Sequence, residues 1–186
     1  MKIIKNKLSK GNYDAEPVDD SEQSKYLRKI AYWVGYFIFE FNDLENIITG
    51  IAAEHIDGRL ENNDYAYIFL SGLMFNQKVE LLERYYNFHL TMFSPKDYAV
   101  KKKQVDEIIG ELKSIGKIRN TIVHANYYSL DINGNIKEKT KFAGAEIEEN
   151  WVSITRDFLV ESINQVMDLT VKIEEFDENL FAELLG

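Results

Sequence analysis

The chain has 186 residues, 45% of them hydrophobic and 13% aromatic, enough for one domain with a sizeable core and unlike the composition of disordered chains. A formal net charge of −9 argues against a generic nucleic-acid coat, because non-specific affinity rests on Lys and Arg neutralising phosphates; a local basic site stays compatible with it. The absence of cysteine excludes disulfides and thiolate metal sites and is compatible with a reducing cytosol.

Residues 1–20 show no periodicity and carry Gly11 and Pro17, so they read as a flexible arm. Their basic start is followed by no apolar region of the secretory kind. From Ser21 to about Ile56 the pattern turns helical. Trp33, Phe37, Phe41, Leu44, Ile48 and Ile51 recur at spacings of three and four, Val34, Ile38 and Ile47 widen the stripe, and Asp57-Gly58 ends it. Even its greasiest part, Ala31 to Phe41, is interrupted by Glu40 and falls far short of the roughly 20 apolar residues that span a bilayer. The expectation is a soluble cytoplasmic protein with no membrane contact.

A second helical region is expected from about Asn63 to Thr91, with Tyr67, Leu70, Met74, Leu81, Tyr85 and Phe88 as its apolar positions and Gly72 at a bend or close crossing. Ser94-Pro95 breaks the chain, since the residue before a proline is pushed out of the α region. A third helix then runs to about Ala125, with Val105, Ile108, Ile109, Leu112, Ile115, Ile118 and Ile122 facing the core. Between Asn126 and Val152 the period changes. Tyr128 to Ile132 and Asn135 to Phe142 flank Asn133-Gly134, which predicts a type I′ hairpin over about 127–142. The last helix opens near Thr155 as N-cap, with Asp157 in its first turn, and Leu159, Ile163, Val166, Ile173 and Phe176 point inward. The fold class expected is all-α: an antiparallel four-helix bundle with a small β-hairpin inserted before the last main helix, residues 21–186 forming a single domain.

Chemistry concentrates in Lys117-Ile-Arg-Asn-Thr-Ile-Val-His-Ala-Asn126, at the end of the third helix. Arg119 is permanently cationic and forks onto phosphates, while His124 moves protons near neutral pH. Asn120 lies one helical turn from His124 on the same face, and Arg119 is offset from His124 by ~140°. Cleavage of RNA requires a base for the 2′-hydroxyl proton, an acid for the leaving 5′-oxygen and a cation for the phosphorane. His124 suits the proton transfer, Arg119 the charge, and Asn120 a donor to phosphate or an orienter of the imidazole. One histidine does not readily serve as base and acid at once, so two copies meeting across a two-fold axis are expected. The competing account is a helix end whose Arg caps carbonyls and whose His packs at the rim.

The segment closes a third bundle helix, its Arg is followed directly by Asn, and Phe39-Glu-Phe-Asn-Asp-Leu-Glu45 sits upstream in an aromatic first helix. In these respects the chain resembles the HEPN superfamily, helical domains whose hallmark is an Arg-x4–6-His motif. The resemblance implies a metal-independent endoribonuclease acting on RNA as a homodimer, without a cofactor. It also implies a place in toxin–antitoxin, abortive-infection or other anti-phage defence, with an antitoxin protein as a possible partner. Some members are non-catalytic modules that bind a protein, nucleotide or RNA.

The remaining candidates have ordinary alternatives. Glu45 either orients Arg119 or His124 or is a solvated residue beside Leu44. His55 and His89 lack the partner spacing of a metal site and read as surface or rim residues. Lys101-Lys102-Lys103, Lys113 and Lys117 gather around the motif but also suit a solvated helix face. Tyr32, Trp33, Tyr36, Phe37, Phe39 and Phe41 suit base stacking, though at helical spacing they more often form a core or a dimer interface.

Overall fold

A computed structural model describes residues 21–57, 65–125, 127, 130, 134–143 and 146–185. The described residues are mostly helical. In chain order they form α1 (Glu22–Asp57), α2 (Tyr65–Ser71), α3 (Phe75–Leu90), α4 (Pro95–His124), strands β1 (Asn135–Ala143) and β2 (Glu146–Ser153), and α5 (Arg156–Leu185). The arm expected over residues 1–20 lies outside them.

Local chemistry explains several helix starts. The Ser21 hydroxyl accepts from the Ser24 amide at 3.2 Å, and the Thr155 hydroxyl accepts from the Phe158 amide at 3.2 Å, each satisfying a donor that the helix leaves open. At α4, Ser94 accepts from the Asp97 amide and donates to the Asp97 carboxylate at 2.6 Å, while Pro95 occupies the first helical position, where no amide is needed.

The second expected helix is two helices. The chain breaks at Gly72-Leu73-Met74, and the Gln77 side chain reaches back to accept from the Met74 amide at 2.9 Å, which starts α3 afresh. Helical phase is therefore reset. Leu70 stays buried, but Tyr67, Met74 and Phe88 are exposed, and α3 buries Lys78, Val79, Leu82, Tyr86 and Leu90 instead.

Contacts divide the chain into two compact units. One takes the described residues up to Tyr36 and Asn120–Val160; the other takes Phe37–Arg119 and Glu161–Gly186. The second unit is a helical core. Phe37, Phe41, Leu44 and Ile48 of α1 are buried in it, as are Val105, Ile108, Ile109, Leu112 and Ile115 of α4 and Ile163, Val166, Leu169 and Ile173 of α5. Each such side chain contributes about 1.5–3 kcal/mol by leaving water.

Contact order along these helices gives their directions. Phe41 meets Phe75, Glu45 meets Lys78 and His55 meets Tyr85, so α1 and α3 run the same way. Lys113 meets Glu83 and Gly116 lies against Phe75, so α4 opposes α3. Lys101 to Glu183 and Glu111 to Lys172 show that α4 also opposes α5. A uniformly antiparallel arrangement, expected when α2 and α3 were read as one helix, gives way to a parallel α1–α3 pair because α2 is a separate element in the connection between them.

In the first unit β1 and β2 pair antiparallel, from Asn135 opposite Ser153 to Ala143 opposite Glu146, with an irregularity between Lys137 and Lys139. The hairpin thus spans 135–153 rather than 127–142. The expected strand Asn135 to Phe142 is present as β1, but its partner follows it. Of the expected partner Tyr128 to Ile132, only Leu130 is described, and it is buried outside any strand. Gly134 does take a positive φ of 81°, as Asn-Gly suggested, but at the hairpin's base. Its carbonyl accepts from the Ile154 amide at 2.6 Å, and a Cβ there would run into the Tyr26 hydroxyl and lie 2.9 Å from the Ile154 carbonyl. Gly134→Ala is expected to cost about 1–3 kcal/mol, combining a disfavoured backbone with a clash, and to lower the urea midpoint accordingly. An unchanged midpoint would refute this anchoring role.

Candidate functional site

The motif segment occupies the last turns of α4, and the boundary between the units falls inside it. Asn120 and His124 belong to the first unit and are both exposed, one turn apart on one face. His124 is the final residue of α4, where the helix's negative end favours cations. Just beyond it, the Tyr127 hydroxyl donates to the Ile122 carbonyl at 2.8 Å and caps one of the orphaned carbonyls. Burial pushes the Tyr127 phenol up to about 12, so it remains a neutral donor rather than a base. Tyr127 had no signal in the sequence beyond its aromaticity.

Arg119, in the second unit, is half-buried, and its guanidinium carbon lies 5.6 Å from the centroid of the Phe41 ring. The structure therefore brings Asn120 and His124 to one exposed face, and gives Arg119 an aromatic seat. Glu45 does not take the role offered for it. Its carboxylate accepts from Lys78 Nζ at 2.8 Å, and Lys78 is only 4% exposed.

The lysines around the motif are mostly committed to carboxylates. Lys101 pairs with Glu183, Lys102 with Asp106, Lys103 with Glu107 at 3.8 Å and Lys113 with Glu83. They form a charge-balanced surface rather than a phosphate track. Lys117 is exposed.

A second polar constellation lies in the helical unit, and it overturns the surface reading of His55. The side chains of His55 and Asp177 are 1% and 6% exposed, with Nε2 and Oδ1 2.8 Å apart. The imidazole stacks between Tyr85, at 3.7 Å between centroids, and Phe181, at 4.5 Å. His89 lies 6.3 Å from His55, half-buried, and its Nδ1 is buried without a hydrogen-bond partner among the described residues. The Tyr86 hydroxyl is likewise buried and reaches no well-directed partner; burial, then the nearby Asp177 charge, holds its pKa far above the usual tyrosine range.

This cluster has a pH signature. Burial, then the neighbouring His55, lowers the pKa of His89 against the opposing pull of Asp177. A lowered folded-state pKa means that the unfolded chain binds the proton more readily. Stability present above the unfolded value of about 6.5 is then lost as pH falls below it. His89→Gln should make the urea midpoint decline less steeply between about pH 7 and about pH 5. Equal slopes in variant and wild type would rule His89 out as a contributor.

No family model matches the sequence, and comparison with curated proteins and with solved structures gives no match. Among the described residues no helix is long and apolar enough to cross a membrane, and no group of three His, Asp or Glu side chains is placed to hold a metal ion.

Proposed function

We propose that this chain is a HEPN-type helical domain that works as a metal-independent endoribonuclease in the cytoplasm, within a toxin–antitoxin or anti-phage defence system. The observation that carries the reading is the exposed pairing of Asn120 and His124 at the end of α4, directly after Arg119. His124 transfers the proton during attack of the RNA 2′-hydroxyl on the adjacent phosphate, Arg119 stabilises the phosphorane, and Asn120 donates to a phosphate oxygen or orients the imidazole. A homodimer with facing motifs supplies the second histidine that one copy lacks. An antitoxin protein is the natural restraint on such an activity.

The test is incubation of the purified protein with RNA in EDTA. Products ending in 2′,3′-cyclic phosphate are expected from wild type. If His124→Ala retains the same cleavage as wild type, the assignment fails.

A second reading is a non-catalytic bundle that binds a partner protein, nucleotide or RNA. The exposed face of α2 favours it: Tyr65, Ile68 and Phe69 are 79%, 66% and 72% exposed and recur at helical spacing, while Ala66 and Leu70 pack inward with Ala52 and Ala53. Turnover that depends on Arg119 would argue against this reading.

A further inference from the structure

Three aromatic side chains of α1 lie in the first unit and are not sealed in a core. Tyr32 is 67% exposed, and Trp33 and Tyr36 are half-buried. The Tyr32 ring stands 5.1 Å from that of Trp33 at 84° between planes, and 6.2 Å from that of Tyr36 at 38°. The first residue of α5, in the same unit, adds a cation: the Arg156 guanidinium carbon lies 5.1 Å from the centroid of the Trp33 ring. Arg156 is exposed, and so is Lys29, one turn before Trp33 on α1. Among the described side chains neither cation is paired with a carboxylate, whereas Lys25 is held by Glu22. Asp157 follows Arg156 but points about 100° further round α5.

We propose that Tyr32, Trp33 and Arg156 form a binding site for single-stranded RNA, with an unpaired base stacked on Tyr32 and a neighbouring phosphate on Arg156; this deepens the ribonuclease reading, on which it rests only for the reason an RNA is recruited. A ring that served the core would be buried, as Phe37 and Phe41 further along α1 are. An apolar protein partner laid over Tyr32 would desolvate the Arg156 guanidinium without offering it an anion. A nucleotide supplies both halves at once, because every base has a π-face and every link carries a phosphate. Trp33 sets the spacing of the two. Its ring is met by Tyr32 and attracts the guanidinium through its quadrupole, so both groups are ordered before a strand arrives. The net charge of −9 fits this mode, since stacking supplies affinity that so few cations do not. Asn120 and His124 belong to the same unit, so strand binding and proton transfer are borne by one compact body.

The full chain is tested with a short fluorescein-labelled 2′-O-methyl RNA strand of mixed sequence, which lacks the attacking hydroxyl and is not cut. Fluorescence anisotropy should show binding by wild type at low salt. Tyr32→Ala should weaken it roughly five- to hundredfold, and Tyr32→Phe should retain most of it. An abasic strand, with phosphates but no bases, should bind wild type and Tyr32→Ala alike. Arg156→Gln should lower the slope of log affinity against log salt by about 0.7, the share of one phosphate contact on a single strand. Both side chains are exposed, so the urea midpoints should stay at the wild-type value and exclude unfolding as the cause. No binding by wild type, as expected of a surface made for a protein partner, would overturn the site. Binding indifferent to Tyr32→Ala, whether or not Arg156 matters, would overturn it too.

Cleavage of unmodified RNA is read in parallel. Tyr32→Ala should raise KM with little change in kcat, because the stacked base lies away from the reacting phosphate. Cleavage with an unchanged KM overturns the site and leaves the ribonuclease reading in place. Binding that depends on Tyr32 and Arg156 without any cleavage supports the site and removes that reading.

Discussion

Replacement of His55 by alanine should destabilise the helical unit by about 3–5 kcal/mol, the range for breaking a buried pair and stranding its partner. Three losses combine. Asp177 remains in an interior from which the imidazole that faced it, with Nε2 2.8 Å from Oδ1, has gone. The gap between Tyr85 and Phe181 is left empty, because both rings packed flat against the imidazole. The attachment of α5 to α1 and α3 at this level is also weakened, since Asp177 and Phe181 are the α5 side of the cluster. Against a total stability of about 5–15 kcal/mol, such a loss is readily measured by urea unfolding. The double change His55→Leu with Asp177→Leu should recover much of it, because an apolar pair of suitable volume removes the stranded charge. A loss of less than about 1 kcal/mol in His55→Ala would mean that the pair is replaceable by solvent and contributes little to the fold.

That cluster also shows where the sequence was legible and where it was not. Periodicity located both ends of α1 and α4 and the start of α5 to within a residue or two, because each carries an apolar stripe most of whose members are buried. The same periodicity contained the polar residues that were missed. His55 continues the stripe of Ile48 and Ala52, Asp177 follows Ile173 by one turn, and Lys78 stands one turn before Leu82. A polar residue on an apolar stripe signals a buried partner, but the partner lies on another helix and cannot be named from one segment. The hairpin failed differently. Asn133-Gly134 correctly indicated a positive φ, yet that backbone can serve a tight turn or a close approach, and here Tyr26 and Ile154, distant in sequence, select the second. Proximity of the same kind explains Glu45: only the fold reveals that Lys78 reaches it first. Of the motif, the shared face of Asn120 and His124 followed from helix geometry alone, whereas the aromatic seat of Arg119 depends on where α1 places Phe41.

For the motif itself, His124→Ala should reduce RNA cleavage by roughly a hundred- to ten-thousandfold, the usual contribution of a positioned proton-transfer group. Arg119→Ala should cost roughly a hundred- to thousandfold, as expected for loss of one preorganised group at developing charge. Arg119→Lys is expected to recover only part, since an ammonium keeps the charge but loses the planar fork. The substitutions should act mainly on kcat, because the groups are needed most where charge and proton are in flight. Stability should change little for His124→Ala, whose side chain is exposed at the end of α4, and that separates a chemical loss from unfolding. If two copies each lend a histidine, the pH profile of kcat should be bell-shaped, one limb for the base and one for the acid. Specific activity should also fall on dilution as dimers dissociate, because a single copy holds one His and one Arg in the motif. A monomer that cleaves with a single-limbed profile would refute the shared site while keeping the ribonuclease. Equal cleavage by wild type, His124→Ala and Arg119→Ala would refute both, and would leave the exposed aromatic face of α2 as the stronger guide to what this chain does.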